Sequence, residues 1–473
     1  MADVLLTHSN HIYFDRKQVK KMQPYPPLQT LLAAAALRER GIGIGLFDAT
    51  WNNPEQGFAA ALEAHRPSLA VVCEDDFNFL SKMCLGRNRE VAFSMAAAAR
   101  ARGIPSAAHG SDASDHVTEY LDAGFDFVLI GEVETTLMEL AEGRPRASID
   151  GLAYRDAWSI RRNAPRELRT DLETLPQPAW DLVDMDQYRQ AWQQAHGYFS
   201  LNMVSSRGCP YRCNWCAKPI YGNSYHARPP LSVASEMLHL KASFQPDHIW
   251  FADDIFALSP KWTFAFAAAV ESLGAQVPFK MQSRCDLMTR DTVDALRRAG
   301  CAEVWMGAES GSQRILDAME KGTRVKDIYR ARENLRGHGI RAGFFLQFGY
   351  PGETWDEIEE TIRMVREARP DDIGVSVSYP LPGTRFYETV SAQLGEKSNW
   401  CDSADLAMMF RGEYSSEFYR ALADALHAEV RGGFDSEAAD WERVRELERA
   451  SVRLAAPNGT PFPVLRESAG EAS

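Results

Sequence analysis

Three cysteines, Cys209, Cys213 and Cys216, stand at C-x-x-x-C-x-x-C spacing in the segment Ser205-Ser206-Arg207-Gly208-Cys209-Pro210-Tyr211-Arg212-Cys213-Asn214-Trp215-Cys216. A β-type run, Phe199 to Val204, leads into them, and a polar loop with proline and glycine follows. Three thiolates on one short loop can hold three corners of a [4Fe–4S] cube. Because such a cluster takes four protein thiolates when fully ligated, one iron is left open to another ligand. Zinc is the rival chemistry, but it needs four N or S ligands, usually as two close pairs. Here the third cysteine is packed into the same loop and no second C-x-x-C exists. The spacing therefore points to iron–sulfur ligation.

The cysteine loop resembles that of the radical S-adenosylmethionine (SAM) superfamily. The resemblance implies that the open iron binds the amino and carboxylate groups of SAM, and that an electron from the cluster cleaves the sulfonium. Other motifs carry the same likeness. Met306-Gly307-Ala308-Glu309-Ser310-Gly311-Ser312 is similar to the G-x-E-S-G-S element of cobalamin-dependent and related members. Glu309 and Ser310 are then polar partners for the ribose or amino-acid part of SAM, since a carboxylate suits a ribose diol; Ser310 or Ser312 also fits as a helix cap. Gly349-Tyr350-Pro351-Gly352-Glu353 resembles the superfamily's G-x-P-G-E turn, so Gly349, Pro351, Gly352 and Glu353 are expected near the adenine edge. Asp254, beside Asp253, and Arg284 join the expected SAM pocket. As a carboxylate pair the aspartates could also bind a divalent cation, and an ion pair or helix cap suits them equally well; a rim salt bridge suits the arginine. Cys285 could donate a hydrogen atom to a carbon radical, although a buried free cysteine usually behaves as a small hydrophobe. Tyr379 could face substrate or simply pack.

These residues need a scaffold that brings them to one edge. From Phe199 onward, strand candidates at Ser200 to Ser205, His248 to Ala252, Phe279 to Ser283, Glu303 to Gly307, Gly343 to Phe348 and Ile373 to Ser378 alternate with helical patterns. Six such units make a partial (β/α)6 barrel whose chemistry belongs at the C-terminal rim of the strands. The cysteine loop follows the first strand, and each motif above follows a later one.

The first third alternates in the same way. Apolar strands at Val4 to Leu6, Ile42 to Phe47, Leu69 to Cys73, Ile104 to Ala108 and Phe125 to Ile130 are separated by helices, including a long one over Met83 to Arg102. Continuous apolar strands predict a parallel, doubly wound Rossmann-like sheet with ligands beyond the strands' carboxyl ends. The loops there resemble the cobalamin-binding domain fused ahead of many radical SAM enzymes. That resemblance places Glu74, Asp75 and Asn78 under the corrin, and His109, Gly110, Ser111, Gly131 and Glu132 along the nucleotide tail. No D-x-H-x-x-G follows the first strand, so no histidine ligand is expected on the lower face of a bound cobalamin.

The α/β chain divides, on this reading, into a cobalamin-binding domain (1–148), a proline-punctuated connector with a small hairpin (149–198), the radical SAM barrel (199–385), a helical C-terminal region (386–454) and a frayed tail (455–473). Tyr419 to Val430 is amphipathic and is expected to cover the barrel's open side. Met408 to Tyr419 resembles the anaerobic cyclase-like branch of the class. A net charge of −13 argues against nucleic acid as a partner. No run approaches a membrane span, no signal peptide is recognised, and eight scattered cysteines fit a reducing cytoplasm. The resemblance implies a [4Fe–4S] cluster, SAM and cobalamin as cofactors, a small-molecule substrate, and an external electron donor such as flavodoxin or ferredoxin. The expected reaction is SAM cleavage to a 5′-deoxyadenosyl radical, hydrogen abstraction from an unactivated carbon, and methyl transfer from methylcobalamin. The alternatives are a non-methylating corrinoid-dependent rearrangement, oxidation or cyclisation, or a radical SAM enzyme whose first domain has lost cobalamin and docks a partner.

Overall fold

A computed structural model describes residues 2–434 and 439–455. The first sheet contains β1 (Val4–Thr7), β2 (Ile44–Phe47), β3 (Leu69–Cys73), β4 (Ser106–His109) and β5 (Phe127–Leu129), all parallel, in the order β2-β1-β3-β4-β5. β1, β3 and β4 are buried at every position because helices cover both faces. The order reverses between β1 and β3, which opens a crevice at their carboxyl ends.

Two expected elements are cut differently. The helix read over Met83 to Arg102 spans Gly86–Arg100 and is preceded by a separate turn, Phe79–Lys82. Asn78 caps that turn, and Cys84 takes a left-handed conformation (φ 52°) that breaks the run. The hairpin assigned to the connector, β6 (Leu152–Asp156) and β7 (Ser159–Arg162), pairs antiparallel onto β5. The sheet therefore continues beyond residue 148, where the sequence reading ended the first domain. A helix the sequence reading left out, Met185–His196, follows it. Asp184 caps its first turn, and Tyr188 and Trp192, one helical turn apart, are its buried face.

The second sheet has β8 (Ser200–Met203), β9 (His248–Phe251), β10 (Phe279–Ser283), β11 (Cys301–Glu309), β12 (Arg341–Phe348) and β13 (Asp372–Val377), all parallel and in chain order. Helix Ser416–Arg431 starts three residues earlier than expected and packs on β13, the last strand, with Trp441–Ala455 behind it. Beyond Ala455 the expected tail lies outside the described residues.

Helix Leu28–Glu39 joins the two halves. Ten successive residues, Leu28 to Leu37, are buried, because one side lies on the first sheet and the other on the barrel. Its alanines let both layers approach closely. Pro27 provides no side-chain cap, so Asp75 from the loop after β3 accepts hydrogen bonds from the backbone N–H groups of Leu28 and Gln29, each at 3.2 Å. After the barrel the chain returns to the first domain: Gly86 N–H donates to the Trp400 carbonyl (2.7 Å), Asn399 to the Cys84 carbonyl (2.7 Å), and Ser403 N–H to Asp15 (2.9 Å).

Candidate active site at the facing strand ends

The cysteine loop rises from the end of β8. Its base is fixed by Asp253, which is buried and accepts hydrogen bonds from Ser205 N–H (3.1 Å), Ser205 Oγ (2.6 Å) and Ser206 Oγ. Burial pushes that carboxyl up to about 6, against the lowering effect of these donors. Ser206-Arg207 pairs antiparallel with His226-Ala227, closing the loop at its neck. Gly208 sits there at φ 81°, and a Cβ would lie 2.5 Å from the Ser224 carbonyl oxygen, so no other residue fits. Inside the loop Lys218 donates to the carbonyls of Cys209 (3.0 Å) and Tyr211 and to Asn223 (3.0 Å). Asn214 ties it to the Ala318 carbonyl (2.8 Å) and Tyr350 (2.9 Å).

Cys209, Cys213 and Cys216 are free thiols, half-buried, half-buried and exposed respectively. The protein atoms crowded around Cys216 raise its thiol to about 12, although part of the residue is open to solvent, and Asp254 and the other two cysteines add to the rise. Among the described residues no three His, Cys, Asp or Glu side chains, the cysteine trio included, are grouped so as to hold a metal ion. What the loop supplies is three thiols on one pinned backbone, the number of donors a cluster with one open iron requires.

Glu309 ends β11 in the left-handed region (φ 60°), buried, with Lys321 Nζ 2.7 Å from its Oε1. Gly307 leaves room for the pair: a Cβ there would lie 2.4 Å from Lys321 Nζ and 2.5 Å from Glu309 Oε1. Lys321 also stands over the ring of Trp215, 5.8 Å from its centroid. Arg284 lies 3.7 Å from the centroid of Tyr211 and pairs with Asp286 at 3.0 Å. Gly349 N–H donates to Glu353 Oε2 (2.6 Å), and the Gly352 carbonyl accepts from Arg314 (2.6 Å), so residues 349–353 form a closed turn ahead of the expected Thr354–Glu357 capping box. Burial pushes the Glu353 carboxyl up to about 8.

Other expected site residues have structural tasks. Ser310 Oγ accepts from Ser312 N–H (3.1 Å) and contacts Thr361 Oγ1 (3.2 Å), fully buried. Cys285 is fully buried, its thiol raised to about 12 by burial and directed at the Gly307 carbonyl (3.8 Å). The Tyr379 hydroxyl accepts from Trp400 N–H (3.1 Å), with the two rings 4.4 Å apart. Asp254 pairs with Lys82 of the first domain (2.5 Å). Pro351 is partly exposed within its turn.

The carboxyl ends of the first sheet face this loop. At the β1/β3 crevice Ser9 N–H donates to Glu74 Oε1 (3.0 Å). Gly110, at φ 136°, lets Glu74 approach: a Cβ would lie 2.8 Å from the Glu74 Cβ. Glu74 Oε2, both carboxylate oxygens of Asp76, and the hydroxyls of Ser9 and Ser114 are buried without a partner. The cost of such orphans is high unless something supplies donors. His109 lies between Asp76 (3.4 Å) and the Gly131 carbonyl (3.0 Å), lowered to about 4 by burial and therefore neutral. Ser111 is buried in the first turn of helix Ser111–Asp115 with no side-chain cap bond. Asp75 and Asn78 are occupied as helix caps.

Sequence reasoning missed the joint itself. Arg207, immediately before Gly208, is buried and pairs with Glu132 (2.6 Å) and Glu134 (2.5 Å), the N-cap and a first-turn residue of helix Val133–Ala141, which follows β5. Lys321 and Lys218 were missed as well. A lone basic residue carries no local pattern, and its partner lies elsewhere in the chain.

Residues 203–365 match the Radical SAM superfamily. The uncharacterized methyltransferase PH0819 of Pyrococcus horikoshii is 30% identical over 282 residues, 58% of this chain and 60% of that protein. Anaerobic magnesium-protoporphyrin IX monomethyl ester cyclase of Cereibacter sphaeroides is 25% identical over 280 residues, 57% of this chain and 45% of that protein. The chain thus spans about half the length of these relatives. Among solved structures, the radical SAM methyltransferase TsrM of Kitasatospora setae, with cobalamin and a [4Fe–4S] cluster bound, superposes at a TM-score of 0.67 and 20% identity, covering 83% of this chain and 75% of that one. Among the described residues no helix is long and apolar enough to cross a membrane. Residues 203–365, with the cysteine loop on the rim of a parallel barrel, thus carry the radical SAM domain, and the chain has the same two-sheet fold as TsrM.

Proposed function

We propose that this chain is a cobalamin-dependent radical SAM enzyme that methylates an unactivated carbon of a small-molecule substrate held between its two sheets. A cluster on Cys209, Cys213 and Cys216 would supply the electron that splits SAM to a 5′-deoxyadenosyl radical, and a corrinoid the methyl group that follows. The observation that carries the reading is the set of partnerless acceptors at the β1/β3 crevice, Glu74 and Asp76 above all. A corrinoid is rimmed with amide donors, and these would satisfy buried carboxylate oxygens.

The chain's own residues have separable tasks. Asp253, Lys218 and Asn214 hold the loop backbone, so that less of the loop has to be ordered when its three thiols take up iron. Lys321 offers a cation to the carboxylate of SAM, and Glu309 an acceptor for its ribose or ammonium. The turn over 349–353 gives backbone access near the adenine. Arg284, stacked on Tyr211, bounds the pocket on the β10 side. Cys285 is a packing residue in this scheme, because its thiol is directed at a backbone carbonyl.

Reconstitution without oxygen, using iron, sulfide and hydroxocobalamin, tests this. About one cobalt per chain together with formation of 5′-deoxyadenosine supports it; a full cluster with no retained cobalt removes the corrinoid half. The similarity to the cyclase supports a second reading, radical chemistry without methylation. Product mass decides between them: a gain of one methyl group favours the first.

A further inference from the structure

We propose that Arg207 is a positioning residue that makes the geometry of the cysteine loop depend on the first domain. The inference rests on the reading of Cys209, Cys213 and Cys216 as cluster ligands, and goes beyond it by assigning a function to the joint between the two halves.

Two segments of the first domain converge on one guanidinium. Nη1 donates to Glu132 Oε1 (2.6 Å), Nη2 to Glu134 Oε1 (2.5 Å), and the group lies 5.9 Å from the Phe77 ring centroid. From the barrel side Tyr221 completes the enclosure at 5.5 Å, with its hydroxyl 3.4 Å from Gln29 Oε1. Gln29 in turn donates to Glu134 (3.0 Å). Arg207 is 3% exposed, Glu132 7% and Glu134 2%. Arg207's charge and hydrogen bond outweigh burial and hold the Glu134 carboxyl well below its ordinary range. Removing the arginine would leave two carboxylates buried without a counter-ion, a costly state relieved by taking up a proton or by moving Glu132 and the first turn of helix Val133–Ala141.

The other end of the lever is stiff. Arg207 is locked into its bridge with His226. Gly208 has no room for even a methyl group, and Cys209 follows. A displacement of the segment 131–134, where helix Val133–Ala141 begins, therefore reaches the first cysteine through one tightly packed residue. The same segment borders the unsatisfied end of the first sheet, since Gly131 accepts from His109, and His109 lies against Asp76. A ligand that engages Asp76 or the 131–134 segment would thus act on the cluster loop through the Arg207 fork. A planar, bidentate guanidinium suits that task as a lysine would not.

The test uses the full chain with reconstituted iron and sulfide and no corrinoid. Iron content, thermal melting and the electron paramagnetic resonance spectrum of the reduced cluster, with and without SAM, are compared for wild type, R207M, R207K, E132Q and E134Q. Folded E132Q and E134Q are expected to show a smaller SAM-induced spectral change and roughly tenfold weaker SAM binding. R207K should recover part of what R207M loses. The decisive arm is the glutamates, which lie on the other domain. Wild-type spectra and SAM affinity in E132Q and E134Q overturn the proposal even if R207M fails to fold. Wild-type protein that takes up no iron overturns the cluster reading itself, and the lever with it, and that outcome shows in the wild type rather than in the variants.

Discussion

Lys321 Nζ lies 2.7 Å from Glu309 Oε1, with both side chains almost wholly out of solvent. Truncating one member of a buried pair costs far more than the pair contributes, because the survivor keeps its charge without compensation. K321M should lower unfolding stability by about 3 kcal/mol in denaturant titrations. The K321M/E309Q double variant should recover much of that loss but not SAM binding measured by equilibrium dialysis. Additive stability effects would show that the two residues are not coupled.

Glu353 gives a pH signature. Its folded carboxyl is raised by burial to about 8 from an ordinary 4.5, so the folded chain holds a proton that the unfolded chain releases. Stability then falls as pH rises from about 4.5 to about 8 and is level above that. E353Q keeps an acceptor for Gly349 N–H and removes the titration. Its unfolding free energy relative to wild type should climb across that window, by several kcal/mol at most at about 1.4 kcal/mol per unit. A constant difference from pH 5 to pH 9 would be the contrary result.

Asp253 accepts only from donors at the loop base. In D253N the amide NH2 faces those same donors, so an acceptor is lost and a donor is left unmatched. A loss of about 1–3 kcal/mol is expected, together with slower iron uptake during reconstitution. Rapid, full loading would show that the loop does not need its anchor.

Replacing Cys209, Cys213 and Cys216 together by alanine should abolish iron binding while barely changing the far-ultraviolet circular dichroism. None of the three belongs to the apolar core, and the loop is pinned by Asp253 and Lys218. Retained iron at about four per chain would transfer the ligand role elsewhere.

The sequence was most legible where the physics is local. Strand β10 falls where alternation predicts it, over Phe279–Ser283, and β3 over Leu69–Cys73 as an unbroken apolar run. Helix Trp355–Ala368 announces itself through its capping box. Legibility failed where a residue's role is set by a distant partner. Asp75 and Asn78 read as ligands but cap helices, and Asp75 does so for a helix 46 residues upstream. Arg207 read as part of the cysteine motif, though its counter-ions lie 73 and 75 residues back. The hairpin after residue 150 was recognised, but its attachment to β5 depends on an exposed sheet edge that periodicity does not reveal.

The segment around Trp400 has a consequence for how the two halves can part. It leaves the barrel and ties itself to Gly86, Cys84 and Asp15, while helix Leu28–Glu39 is wedged between both sheets. Hinged opening about a single linker, as in two lobes that swing apart to admit a ligand, would have to tear a second seam at the same time. A large cofactor would enter such a molecule during folding, or through local loosening of one seam, and a backbone nicked near residue 170 would still migrate as one particle.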